Sequence, residues 1–238
     1  MVNTYVLVHG MFLGGWCWAR VARLLTGAGH RVFTPTQTGL GERHHLLSPS
    51  IGMDTFIQDL VNVIEFEELE QVILVGHSFG GMAATGAADA LPKRIRRLVY
   101  LDGAVPQPGH AFAEQLPTEI RSKRLAAAQE VRGTRCFMPT NPALMGVKAA
   151  DELSWFHRRM TPHPVKTYLD PIQLRQAPEK GPACTFIRCN KPYYSPADTS
   201  GELARNIPGW HYREIAESHG CIINAAHNVA KLLQEIPL

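Results

Sequence analysis

The alternation of two kinds of segment is the feature that most limits how this chain can fold. Short apolar runs rich in β-branched residues alternate with longer segments of helical periodicity. This pattern is typical of βαβ units and predicts a mostly parallel sheet with helices on both faces. Strands are predicted near residues 5–8, 31–34, 71–75, 98–101, 185–188 and 210–215. Helices are predicted over residues 17–28, 53–65, 81–90 and 222–235.

The regular alternation stops between about residues 104 and 182. This stretch is rich in Pro, Ala and Arg and carries only weak helical patterns, around residues 118–131 and 148–160. We interpret the chain as one domain, with a core formed by residues 1–103 and 183–238 and an insertion at about 104–182. An insertion at this point would cover the carboxyl ends of the strands, where α/β sheets bind ligands. We therefore expect it to form a helical cap.

Composition excludes several classes of protein. A net charge of +3 over 238 residues is too small to indicate a nucleic-acid partner. No secretory signal pattern precedes the first predicted strand, and no run approaches the roughly 18 apolar residues that span a membrane. The five cysteines are odd in number and scattered, unlike a disulfide framework or a metal knuckle. We expect a cytoplasmic protein with reduced thiols and neither a nucleic-acid nor a membrane partner.

The strongest local motif is Gly76-His77-Ser78-Phe79-Gly80, which follows a predicted strand and precedes a predicted helix. A G-x-S-x-G sequence in this context forms a sharp turn that exposes a strained serine, and glycines are needed where flanking side chains would collide. The start of the next helix favours negative charge that develops on a substrate. The motif predicts that Ser78 is a nucleophile.

A nucleophilic serine needs a nearby base, and eleven histidines compete for that role. His219 has the best position, because it follows the last predicted strand and precedes the last helix, the order in which such sites place their histidine. His9-Gly10-Met11 ends the first predicted strand. There the backbone N–H of Met11 could pair with that of Phe79 to hold an oxyanion. We predict Ser78 and His219 as catalytic residues and these two N–H groups as the oxyanion hole.

Together these motifs and Gly14-Gly15-Trp16-Cys17-Trp18 give the chain a family resemblance over nearly its full length. It resembles the α/β-hydrolase branch that contains plant methylesterases, hydroxynitrile lyases and bacterial esterases, including pyrethroid-hydrolysing ones. The segments 29–35 and 38–43 resemble the bacterial esterases in particular. The resemblance implies an eight-stranded α/β-hydrolase core with a helical cap, no metal and no organic cofactor.

Two departures from the family pattern narrow the prediction. Hydroxynitrile lyases of this branch carry Thr and Lys where this chain has Gly10 and Gly220, which disfavours lyase activity. The family usually places an Asp shortly after the penultimate strand, where this chain reads Cys189-Asn190-Lys191-Pro192. We assign the acid to Asp102, which ends the strand next to the one that bears Ser78. Asp198 and Glu202 remain alternatives, although both also fit the start of a helix.

These residues predict a serine esterase that cleaves a small apolar carboxylic ester through an acyl-enzyme intermediate. A carbon–carbon or amide-bond hydrolase with the same triad is an alternative, and so is a receptor-like ligand-binding protein with little turnover. The substrate pocket is predicted to contain Trp16, Phe137, Met138 and Trp155. The expected partner is a small-molecule ester, and the sequence is compatible with a homodimer.

Overall fold

The structure is a computed structural model and describes residues 2–237. Its strands are β1 (Thr4–Val8), β2 (Arg31–Phe33), β3 (Val72–His77), β4 (Ile95–Leu101), β5 (Gln129–Val131), β6 (Thr134–Phe137), β7 (His163–Pro164), β8 (Cys184–Cys189) and β9 (His211–Ile215). Its α-helices are α1 (Ala19–Gly27), α2 (Met53–Phe66), α3 (Gly80–Ala90), α4 (Thr118–Ala126), α5 (Ala150–His157), α6 (Lys166–Leu169), α7 (Asp198–Asn206), α8 (Cys221–Asn224) and α9 (Ala226–Gln234).

The main sheet contains six parallel strands in the order β2-β1-β3-β4-β8-β9. These are the six strands that the apolar runs predict. The expectation of eight strands is wrong for this sheet in the part of the chain that the structure describes. The further strands β5, β6 and β7 do not extend it, because they pair antiparallel with one another inside the insertion.

Both faces of the central strands β1, β3, β4 and β8 of the main sheet are buried. Alternate residues of each strand point to opposite faces. On one face, Val6, Leu74 and Tyr100 belong to a buried cluster with apolar side chains of α2 and α3. On the other, Leu7, Val75 and Leu101 belong to a second cluster with side chains of α1, α8 and α9. Burial on both faces explains why these strands read as continuous apolar runs rather than as polar–apolar alternation.

Two predicted helices differ in the structure. The helix predicted over residues 222–235 is divided into α8 and α9, because Ala225 leaves the helical conformation at ψ 34°. The helix predicted over residues 118–131 is shorter in the structure: α4 ends at Ala126, and residues Gln129–Val131 form β5. Arg132 and Gly133 both have positive φ, at 52° and 72°, which makes the two-residue turn of a β-hairpin between β5 and β6.

Parallel pairing sets the location of the functional residues. The carboxyl ends of β1, β3, β4 and β9 meet at the same edge of the sheet. Ser78 follows β3, Asp102 follows β4, and His219 lies in the loop after β9. The insertion leaves the sheet after β4 at this same edge, so its residues and the loop residues enclose a common space.

Candidate active site

Ser78 lies in a strained turn between β3 and α3. Its φ is 53°, in the left-handed region that non-glycine residues rarely adopt. A Cβ atom on Gly80 would lie 2.5 Å from the carbonyl oxygen of His9, so only glycine permits this close approach to β1. The main chain of Ser78 is fixed by N–H groups of Gly81 and Ala104, which donate to its carbonyl oxygen at 3.1 and 2.8 Å. The turn thus presents the Ser78 hydroxyl at the carboxyl edge of the sheet.

His219 is buried beside Ser78, with 2% of its surface exposed. Its Nε2 lies 3.0 Å from the Ser78 Oγ, as a base that accepts the hydroxyl proton requires. His77 Nε2 donates to the backbone carbonyl of His219 at 2.9 Å. Burial, followed by the nearby His219, lowers the pKa of His77 to about 3, so His77 stays neutral and places no cation beside His219.

Asp102 completes a hydrogen-bonded chain with His219 and Ser78. The Nδ1–H of His219 donates to Asp102 Oδ2 at 2.6 Å. Asp102 also has a positive φ, 47°, a conformation that Asp tolerates better than most residues. Burial opposes ionisation of this carboxyl, but the hydrogen bonds and charges of His219 and Arg188 outweigh it and lower the pKa of Asp102. The carboxylate is therefore charged at neutral pH.

The two alternative acids do not contact His219. Asp198 begins α7, where its carboxylate accepts hydrogen bonds from Arg188 and from the hydroxyl of Tyr193. Glu202 is exposed on the same helix. The structure therefore brings together Ser78, His219 and Asp102, and it places Asp198 behind Arg188.

The loop after β1 contributes Met11 to the site. Among the described residues, neither the backbone N–H of Met11 nor that of Phe79 has a hydrogen-bond acceptor. His9 supports this loop from behind: its Nδ1–H donates to the Gly10 carbonyl at 2.9 Å, and its Nε2 accepts from the N–H of Gln37 at 3.1 Å. Burial lowers the pKa of His9 to about 4, which keeps the ring neutral. Two free N–H groups on residues that line the site fit a developing oxyanion.

A cavity of about 630 Å³ opens at Ser78 and is mostly apolar. The loop after β1 and the insertion supply most of its apolar wall, namely Met11, Phe12, Leu13, Phe112, Leu116, Phe137, Met138, Leu144 and Met145. Arg124 of α4 also lines it and donates to the hydroxyl of Tyr168 at 3.3 Å. This size and character fit a small organic molecule with few polar groups.

The predicted pocket residues divide into two groups. Phe137 and Met138 line the cavity. Trp16 and Trp155 do not, which corrects their prediction as pocket residues. Their rings pack edge to face, with centroids 4.9 Å apart, and join the segment before α1 to α5. The two side chains therefore contribute to packing and not to the cavity wall.

Two residues at the site escaped the sequence analysis. The ring of Tyr194 stacks on the ring of His219 at 3.9 Å and lines the cavity. Arg188 contacts Asp102 from β8. Its signal in the sequence is a single charge at the end of the apolar run Cys-Thr-Phe-Ile-Arg-Cys, since an arginine is rarely buried without a partner.

A metal-binding cluster and a membrane-spanning helix are both absent from residues 2–237. No group of three or more His, Cys, Asp or Glu side chains there is placed to hold a metal ion. No helix in that range combines the length and the apolar character needed to cross a membrane.

Comparison with known proteins identifies the family. The model of the alpha/beta hydrolase family matches residues 5–232, and the chain belongs to this family. A carbendazim hydrolyzing esterase from Nocardioides sp. (strain SG-4G) is 36% identical over 237 residues, which cover 96% of this chain and 97% of that protein. Methylesterase 9 from Arabidopsis thaliana is 33% identical over 126 residues, which cover 51% and 49% of the two chains. The resemblance to this branch is thereby confirmed.

Solved structures match the same fold. An extracellular alpha/beta-hydrolase from a Paenibacillus species superposes with a TM-score of 0.83 at 21% identity, covering 97% of each chain. A pyrethroid hydrolase superposes with a TM-score of 0.78 at 20% identity, covering 99% of this chain and 97% of the other. At this identity the likeness establishes the α/β-hydrolase fold.

Proposed function

We propose that this protein is a serine esterase that hydrolyses a small apolar carboxylic ester through an acyl-enzyme intermediate. The observation that carries the proposal is the continuous hydrogen-bonded chain from the Ser78 hydroxyl through His219 to Asp102, with distances of 3.0 and 2.6 Å. This chain lies at the floor of a mostly apolar cavity. The similarity to an esterase over almost the whole chain supports the same reaction class.

The geometry supports the following reaction. His219 Nε2 takes the Ser78 proton as Oγ attacks the ester carbonyl, and Asp102 stabilises the resulting imidazolium. The N–H groups of Met11 and Phe79 donate to the oxyanion of the tetrahedral intermediate. His219 then gives its proton to the departing alkoxide, which leaves as the alcohol. A water molecule, deprotonated by His219, attacks the acyl carbonyl. The bond to Ser78 Oγ then breaks, His219 returns its proton to Oγ, and the carboxylic acid leaves.

The space around Gly10 argues against a hydroxynitrile lyase. A Cβ atom at residue 10 would lie 2.9 Å from the Ser78 Cβ, so the Thr of the lyases would displace the nucleophile. The absence of the lyases' Lys at Gly220 is a second departure. A carbon–carbon or amide-bond hydrolase uses the same three residues, and substrate assays distinguish it from an esterase.

A labelling experiment tests the proposal. The protein is exposed to a fluorophosphonate probe, which reacts with activated serines, and its intact mass is measured; Ser78→Ala is the control. We expect one adduct on the wild type and none on Ser78→Ala, together with loss of p-nitrophenyl acetate hydrolysis by several orders of magnitude. Carbendazim belongs in the substrate panel because of the Nocardioides relative. A wild type that neither labels nor hydrolyses any ester would instead support a receptor-like ligand-binding protein.

We also propose that the protein works in the cytoplasm. Its five cysteines are all buried free thiols in the structure. Reducing compartments maintain thiols in that state. Localisation of a tagged protein in the source cell tests this proposal.

A further inference from the structure

Arg188 is a buried cation that joins two parts of the site. It is the last residue but one of β8, and only 5% of its surface is exposed. Its Nη1 donates to Asp102 Oδ1 at 2.6 Å, while its Nη2 donates to Asp198 Oδ1 at 2.7 Å and to the Tyr194 carbonyl at 2.8 Å. One guanidinium thus contacts the acid of the triad, the first turn of α7 and the loop that places Tyr194 over His219.

The contacts of Asp102 show what Arg188 does to the carboxylate. Oδ2 accepts from His219, whereas Oδ1 accepts from Arg188 and from the N–H of Cys189, the latter at 3.2 Å. Rotation of the carboxylate would break the contacts of Oδ1, so they fix the direction of Oδ2. Burial of a carboxylate also favours its neutral form unless a cation compensates it.

We propose that Arg188, anchored by Asp198, is a positioning residue that holds the carboxylate of Asp102 turned toward His219. This inference rests on the proposed esterase function, because Asp102 matters here as the acid of the triad. Arg188 does not touch the reacting atoms. It acts through Asp102 on the orientation of His219, and its positive charge opposes formation of the imidazolium.

A guanidinium suits this role better than an ammonium group. Its planar fork presents donors in fixed directions, so one side chain can bind acceptors on two sides at once. A lysine at residue 188 would retain the charge but could not reproduce contacts with Asp102, Asp198 and the Tyr194 carbonyl together. Replacement with lysine therefore separates charge from geometry.

The other titratable or charged groups around His219 and Asp102 come from several elements. They are His77 of β3, Cys189 of β8, Tyr193 and Tyr194 of the following loop, Asp198 of α7 and Cys221 of α8. Burial holds His77 neutral and raises the pKa of Tyr194, and the hydrogen bond with Cys221, followed by burial, raises the pKa of Cys189. Arg188 is accordingly the nearby cation whose removal changes the field at His219.

The test compares kcat, KM and the pH profile of kcat/KM for wild type, Arg188→Met, Arg188→Lys and Asp198→Asn. For Arg188→Met we expect kcat to fall about 100-fold with little change in KM. Misalignment of Ser78, His219 and Asp102 should slow the chemical step but leave substrate binding almost unchanged. Loss of the positive charge of residue 188 stabilises the imidazolium of His219. The acid limb of the pH profile of kcat/KM should therefore move up by about one pH unit. Arg188→Lys should keep the limb near its wild-type position while kcat falls about tenfold. Asp198→Asn should lower kcat less than Arg188→Lys does.

Arg97→Met is the matched control. Arg97 is also a buried arginine, 6% exposed, and donates to Thr185 Oγ1 of β8 at 3.1 Å, but it lies toward the amino end of β4. We expect this variant to lose stability while kcat and the acid limb stay at wild-type values. A merely structural role for Arg188 would give its variants the same behaviour as Arg97→Met.

The outcomes separate this inference from the proposed function. If wild type hydrolyses esters and labels at Ser78, but the Arg188 variants keep wild-type kcat and acid limb, the positioning role is overturned. If wild type does neither, the esterase proposal itself fails. Should Arg188→Met not fold, Arg188→Lys and Asp198→Asn decide: wild-type kcat in both overturns the role, and a fall in both supports it.

Discussion

Asp102→Asn changes one carboxylate oxygen into an amide nitrogen and leaves the size of the side chain unchanged. The amide oxygen would take the place of Oδ1, because Arg188 and the N–H of Cys189 are both donors there. The amide nitrogen would then face His219 Nδ1 as a donor. Nδ1 would have to accept, which moves the imidazole proton to Nε2, the atom that faces the Ser78 hydroxyl. The base would be in the wrong tautomer to accept the serine proton.

The size of the effect follows from this reversal. Asp102→Asn removes two features that favour catalysis: the tautomer of His219 that can accept the serine proton, and the negative charge that stabilises its imidazolium. In the worked case of the Ser-His-Asp triad the same substitution lowers kcat by about 10⁴. That corresponds to about 5.5 kcal/mol of transition-state stabilisation. We expect a fall of this size, with KM changed far less.

The assay is steady-state hydrolysis of p-nitrophenyl acetate by Asp102→Asn, with Glu202→Gln as the matched control. Glu202 is exposed, and we expect its variant to keep wild-type turnover. Circular dichroism checks that Asp102→Asn is folded, because the substitution leaves the charge of Arg188 compensated only by Asp198. Near wild-type turnover of folded Asp102→Asn would refute the assignment, and collapse of Glu202→Gln in the same assay would move it to that residue.

Three further predictions follow from other parts of the structure. In a matched ester series, neutral apolar esters should give the higher kcat/KM, because most of the cavity wall is apolar and burying a charged ester there would cost free energy; preference for anionic esters, which Arg124 could attract, would contradict this. Gly10→Thr should lower turnover by about 10²-fold by displacing Ser78, and wild-type turnover would show that the loop yields. Burial lowers the pKa values of His9, His77 and His163 to about 4, 3 and 3. In the unfolded chain these three histidines bind protons below about pH 6.5, whereas in the folded protein they stay neutral until about pH 4. The free energy of unfolding should therefore be highest above pH 6.5 and fall by up to about 4 kcal/mol per pH unit toward pH 4. Equal urea midpoints at neutral and mildly acidic pH would contradict it.

The core of the fold could be predicted because its central strands are buried on both faces. Runs such as Val72-Ile73-Leu74-Val75 are recognisable without any contact information. Arg97 shows the limit of this signal. It falls in the basic cluster Lys93-Arg94-Ile95-Arg96-Arg97, whose charges carry no strand pattern, yet β4 begins at Ile95 and Arg97 is buried against β8. Which charged residue of such a cluster is buried depends on the register of the neighbouring strand.

The insertion was less predictable because local pattern decides little there. The stretch 118–131 carries a helical pattern, but the turn at Arg132 and Gly133 pairs its last three residues with β6. The pocket residues show the same dependence on long-range contacts. Trp16 and Phe137 are both large aromatic residues, but only Phe137 lines the cavity. Trp16 packs instead against Trp155 of α5, a contact that the local sequence does not reveal.

The contact between Asp102 and His219 could be predicted because parallel strands bring their carboxyl ends together. β4 and β8 are neighbours, with Leu101 paired to Ile187, so an acid after either strand starts from the same edge. The side chain of Asn190, at the usual location of the acid, turns outward and donates to Glu214 at 3.0 Å. A carboxylate there would not reach His219 in this conformation. A carboxylate after β4 is instead enclosed by the sheet, and the lost hydration must be replaced by protein donors. The N–H of Cys189 and the guanidinium of Arg188 supply these donors from β8. Asp102 after β4 and Arg188 on β8 therefore depend on each other, and the role of either residue could not be assigned without its partner.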